Sequence, residues 1–137
     1  LRLSGVARYN SGAPFNVTTG QDNNLDGTLT DRPDGVTRNT GEQTNLVALN
    51  AFRAAEGLAP VNDLDEPSFF QMDVRLYKRF PFDSGKGTGE VFLQVFNLFN
   101  RENYATIEGR ATARNFGEGI ALAGPPRSVE LGLRFGY

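Results

Sequence analysis

Ser128-Val129-Glu130-Leu131-Gly132-Leu133-Arg134-Phe135-Gly136-Tyr137 alternates without a break. Val129, Leu131, Leu133, Phe135 and Tyr137 share one face, while Ser128, Glu130, Gly132, Arg134 and Gly136 share the other. A period of two residues belongs to a strand whose two faces meet different surroundings. One face is wholly apolar, and the other has no aliphatic side chain.

Three segments upstream repeat the pattern. In Gln71–Phe80, Met72, Val74, Leu76 and Phe80 share a face with Lys78, and Gln71, Asp73, Arg75, Tyr77 and Arg79 share the other. Lys78 falls near the strand end, where its stem can snorkel. In 89–95, Gly89, Val91, Leu93 and Val95 oppose Glu90, Phe92, Gln94 and Phe96, and the two Phe residues sit awkwardly on an otherwise polar face. In Leu1–Asn10, Leu1, Leu3, Gly5, Ala7 and Tyr9 oppose Arg2, Ser4, Val6, Arg8 and Asn10. Ser11–Gly20 reads as a possible extension of that first strand.

The connections run long, short, long. Residues 20–67 and 101–125 are polar or Gly-rich, whereas Pro81–Thr88 is a hairpin turn that pairs Phe80 with Gly89, Arg79 with Glu90 and Arg75 with Gln94. In the first long connection, Leu46, Leu49 and Phe52 have helical spacing, with Thr44 or Asn45 as N-cap and Gly57 as stop.

A mean hydropathy of −0.39 and the lack of any apolar run near ~18 residues rule out a membrane-spanning helix. They do not rule out a barrel, whose strands need only about 9–11 residues with every second one apolar. A charge facing lipid at mid-bilayer costs roughly 2–4 kcal/mol, so the apolar faces belong against hydrocarbon and the charged faces against a wet interior. Barrels have short periplasmic turns and long extracellular loops. A periplasmic C-terminus then puts both long connections outside, Phe80, Phe82 and Tyr137 at the inner interface, and Tyr9, Phe69 and Phe99 at the outer one. The chain begins inside a strand pattern without an initiator Met, as expected of a piece of a longer protein. The fold class is all-β: about four antiparallel strands from the C-terminal portion of a transmembrane barrel, with long extracellular loops and a short loop helix.

His and Cys are both absent, which removes Ser-His and Cys-His catalysis and the usual zinc sites. The expectation is a non-enzyme without a cofactor. A net charge of −2 provides no basic patch for nucleic acid. Asp22-Asn23-Asn24-Leu25-Asp26-Gly27 opens like a calcium loop, with Asp22, Asn24 and Asp26 as ligands. The twelfth position is Pro33 rather than the closing Glu, so Asp31 or a carbonyl would have to substitute; the same residues also suit a run of Asx turns without metal. Asp63, Asp65 and Glu66 read either as general acid/base groups of a hydrolase or as a solvated acidic loop. Asp73, Arg75, Arg79, Glu90, Glu130 and Arg134 read either as ion pairs along the wall or as a substrate path.

Ser11-Gly12-Ala13-Pro14-Phe15-Asn16, Asp31-Arg32-Pro33, Asn97-Leu98-Phe99-Asn100-Arg101-Glu102-Asn103-Tyr104, and Pro126-Arg127 followed by Leu131–Tyr137 together resemble the C-terminal part of TonB-dependent receptors. Within these receptors the motifs most resemble the Oar-like barrels, which carry a carboxypeptidase-regulatory-like domain. The resemblance spans nearly the whole of residues 1–137 and implies one region, the C-terminal fragment of a barrel of about 22 strands with a plugged lumen. It implies uptake of an unknown ligand across the outer membrane, with lipid, the TonB energising complex and the barrel assembly machinery as partners. Val129, Leu131, Leu133, Phe135 and Tyr137 match the C-terminal signal that this machinery reads. The alternative from a different class is a soluble secreted all-β binding or adhesion module with a calcium-stabilised loop.

Overall fold

The computed structural model describes residues 1–82 and 87–136. Its main sheet holds β1 (Arg2–Asn10), β2 (Phe69–Pro81), β3 (Thr88–Phe96) and β6 (Ser128–Gly136), in the order β1-β2-β3-β6, with every neighbour antiparallel. Between β3 and β6 lie β4 (Tyr104–Ile107) and β5 (Gly119–Leu122), which pair only with each other, and α1 (Leu46–Ala55) follows β1. The sheet is open, and β1 and β6 are its edges.

The expected register between β2 and β3 is the observed one: Phe80 opposes Gly89, Arg79 opposes Glu90 and Arg75 opposes Gln94. The middle of the expected turn, residues 83–86, lies outside the described residues, as does Tyr137. Phe82 N–H donates to Gly87 O at 3.1 Å where the turn begins and ends. Strand pairing carries the alternation from strand to strand, because a one-residue slip would put every side chain on the wrong face. Leu3, Leu76, Leu93 and Leu131 thus form one row across all four strands.

The chain divides into two compact units: residues 1–10, 69–103 and 124–137, which hold the main sheet, and residues 11–68 and 104–123. Ser11–Gly20 does not extend β1 but belongs to the second unit, where Val17 is wholly buried. The core there is Val17, Val36, Leu49, Leu64, Ala111 and Phe116. Burying side chains of this size contributes about 1.5–3 kcal/mol each for the larger ones, the usual reason a water-surrounded unit folds. Asn45 caps α1, its side-chain oxygen accepting from Val47 N and Ala48 N at 3.2 Å, and Gly57 stops it in the left-handed region at φ +71°.

The second unit draws both long connections together. Thr18 bridges Arg110: Thr18 N donates to Gly109 O at 2.9 Å and Ala111 N donates to Thr18 O at 2.7 Å. Arg53, on α1 and almost fully buried, donates to Ala59 O at 2.9 Å, Ala111 O at 2.6 Å and Ala113 O at 3.2 Å, with Phe116 under its guanidinium. Those carbonyls replace the water the charge gives up.

Candidate functional site

The two faces of the main sheet are the feature on which function rests. On the apolar face Val129, Leu131, Leu133 and Phe135 are all exposed, as are Leu3, Leu76 and Leu93 in the neighbouring strands. A continuous apolar patch of this kind is not stable against water and marks a surface made for another phase or partner.

The opposite face is polar and internally paired. Glu90, only 5 % exposed, accepts from Arg75 Nη2 at 2.8 Å and Arg79 Nε at 2.7 Å. Arg134 opposes Glu90 across β6, and Gln94 lies between Arg75 and Glu130 in the ladder. Asp73 accepts from Gln71 Nε2 at 3.0 Å and from the backbone N–H of Asn97 at 2.9 Å. The six charged residues expected on this face are therefore together on it, and Glu90 gathers the arginines.

Phe92 finds its place by two contacts that its own strand does not reveal. The Arg75 guanidinium stands 4.2 Å from its ring centroid, an interaction of about 0.5–1 kcal/mol at exposed sites and more when desolvated. Across the ladder it opposes Gly132, where an added Cβ would come within 2.2 Å of the ring. The ring lies in the space a side chain at 132 would take. Phe80 covers Gly89 in the same way on the apolar face.

Aromatic rings mark both ends of the sheet. At the hairpin end Phe80, Phe82 and Phe135 meet, with centroids 6.2 Å and 6.1 Å apart. At the other end Phe70, rather than Phe69, opposes Tyr9 and lies 5.8 Å from Phe99; Phe69 has the parity of the polar face, opposite Asn10.

The Asn97–Asn103 run is a clamp, a role that reading it as a family signature did not expose. Asn97 and Asn100 both adopt the left-handed region, φ +49° and +51°, which Asn tolerates better than most residues. Asn97 donates to Arg101 O at 3.0 Å and Pro125 O at 3.2 Å, and Asn100 accepts from Arg127 N at 2.9 Å. Asn103 accepts from Phe70 N at 2.8 Å and donates to Phe70 O at 3.0 Å. Three Asn residues at intervals of three, placed just after a strand, were the available signal.

In the second unit, Asp22, Asn24 and Asp26 share one loop, but their oxygens accept from the loop's own groups. Asp22 accepts from Asp26 N at 3.0 Å and Gly27 N at 2.9 Å, and Asn24 accepts from Asp26 N at 3.1 Å. Asp31 accepts from Asn23 N at 2.5 Å and Asn24 N at 3.0 Å. Thr28 donates to Asp26 through its hydroxyl at 2.6 Å and its N–H at 2.8 Å, which lowers the Asp26 pKa from its ordinary value. Among the described residues no group of three or more Asp or Glu side chains converges as metal ligands. Leu25, at φ +59°, holds its side chain out in solvent.

The other loop carboxylates also have structural partners. Glu66 accepts from Glu42 N at 3.0 Å, and Asp63 accepts from Leu64 N at 2.9 Å; the structure assigns Asp65 no role. Glu108 is gripped bidentately by Arg110, at 2.9 Å and 2.8 Å, and that hydrogen bonding lowers its pKa below the ordinary glutamate range.

A sheet with one lipid-compatible face and one charged face, closed off by aromatic rings at both ends, is the wall of a membrane barrel. In agreement with that geometry, the family model for an outer membrane beta barrel domain matches residues 1–130. The chain belongs to this family. The place of this barrel domain is the bacterial outer membrane, its apolar face turned to lipid and its Glu90 face to the interior. Searches of curated proteins and of solved structures return no match.

Proposed function

We propose that the chain supplies closing strands of a TonB-dependent transporter barrel of the Oar-like subgroup, which takes a ligand across the outer membrane. The observation that carries this reading is that the strands alternate in direction, so that both long connections start from the same end of the antiparallel sheet, and that the residues of those connections pack around one core of their own. A folded unit built from the long connections suits ligand capture, and the paired charges on the polar face suit a wall that holds a plug.

In this reading residues 11–68 and 104–123 lie outside the cell and the hairpin faces the periplasm. The assembly signal is the run Val129, Leu131, Leu133, Phe135 and Tyr137, and the backbone of the edge strand β6 pairs with the first strand of the complete barrel. Transport needs no catalytic step from Asp63, Asp65 or Glu66. A soluble adhesion module would require a second layer over the row of four Leu residues, and membership of the outer membrane barrel family argues against it.

The test is the coding sequence upstream. It should encode a plug domain, preceded by the segment that contacts the energising complex. A complete protein whose barrel has no plug would overturn the transporter reading and leave barrel membership intact.

A further inference from the structure

Lys78 is the one charged side chain on the lipid-facing side of the sheet among the described residues. It opposes Val91, which in turn opposes Leu133. None of the ion pairs among the described residues includes it. An ammonium group in this position meets no carboxylate among the described residues, and leaving it in hydrocarbon is costly.

Two features of the surroundings indicate what it meets. Leu1, Leu76, Val91, Leu93 and Leu131 line a shallow groove beside Lys78, shaped for an apolar chain rather than a polar ligand. Phe80 lies two residues further along β2, about 7 Å at the usual strand rise, in the aromatic cluster with Phe82 and Phe135. Such clusters mark the depth of the headgroups, and a lysine stem is long enough to carry its charge there.

We propose that Lys78 and the adjoining groove form a binding site for an anionic glycerophospholipid. The ammonium pairs with the phosphate, and one acyl chain lies along Leu76, Leu93 and Leu131. Among the described residues a single cationic side chain stands beside the apolar groove, which matches a lipid with one phosphate. Lipopolysaccharide, with several phosphates on a sugar head, would call for several cations. The inference rests on barrel membership and is independent of the transporter reading.

The complete protein, with a bimane fluorophore at L133C, is reconstituted in vesicles containing brominated phosphatidylglycerol or brominated phosphatidylcholine, and quenching gives the local preference for each lipid. With Lys78 present, phosphatidylglycerol should be preferred. K78Q should reduce that preference about fivefold, the effect of one lysine at an anionic surface, and K78R should restore it. A preference that K78Q leaves unchanged overturns the site, as does displacement of phosphatidylglycerol by lipopolysaccharide at equal phosphate. Absence of quenching by either lipid overturns both the site and the lipid-facing assignment of β6.

Discussion

Leu131 in the main sheet is 77 % exposed, and Leu49 in the loop unit is 0 % exposed. Both units bury polar side chains, Glu90, Asn97 and Asn103 in the sheet unit and Thr19, Thr44, Arg53 and Glu108 in the loop unit, but among the described residues the buried apolar side chains, Val17, Val36, Leu49, Leu64, Ala111 and Phe116, all belong to the loop unit. One chain therefore contains two opposite solutions to burial. The loop unit is organised as in water, with apolar groups inside. The sheet is organised for a boundary, with its apolar side outward and its charges paired on the other side. The same residue type, leucine, takes its role from the medium that faces it.

The largest test of this contrast is truncation of the same residue type in each region. Leu49→Ala should destabilise the loop unit by about 2–5 kcal/mol, because it leaves a cavity in a packed core. Limited proteolysis of residues 11–68 in the complete protein should accelerate accordingly, while the heat-modifiable gel shift of the barrel stays unchanged. Leu131→Ala should leave both readouts nearly unaltered, since lipid fills the space. If both truncations accelerate loop proteolysis equally, the two regions are not independent in the way described.

Charge insertion reverses the order of sensitivity. Leu131→Arg should cost about 2–4 kcal/mol and reduce the fraction of protein that folds into vesicles. Val47→Arg, at an exposed position of α1, should stay within about 0.5 kcal/mol. Equal folding yields for both variants would deny that lipid covers β6.

Gly132→Leu probes the polar face. Phe92 occupies the space over residue 132, so overpacking should cost about 1–3 kcal/mol, and Phe92→Ala in the same chain should recover part of it. Strict additivity of the two changes would show that ring and glycine do not share that space.

The smallest expected effect is on pH dependence. Glu108 has a lowered pKa because Arg110 hydrogen-bonds its carboxylate. A depressed folded-state value gives stability that is present above the unfolded value, near 4.5, and lost as pH falls through the folded value. Loop proteolysis should therefore rise as pH drops below about 4.5 in wild type, and less steeply in Glu108→Gln, which has no carboxylate to protonate.

The periodicity of β1, β2, β3 and β6 was legible because it depends only on which neighbour is apolar, and the register of β2 with β3 followed from a short turn. The loop helix was legible for the same local reason: Asn45 and Gly57 bracket one apolar stripe. The calcium-like motif was legible as a pattern, but carboxylates that accept backbone N–H groups and carboxylates that await a metal have the same spelling. The pairing of β4 with β5 was not legible, since strands of four residues are too short to display an alternation.

From the sequence alone came the two-faced strands, their order and the side that meets lipid, because strand geometry converts alternation directly into faces. Only the tertiary structure decided that residues 11–68 and 104–123 share a core, that Arg53 ties them through the Ala111 and Ala113 carbonyls, and that Arg75 and Gly132 make room for Phe92. Those contacts join residues far apart in the chain, and no local spacing records which distant partner will fill a given space.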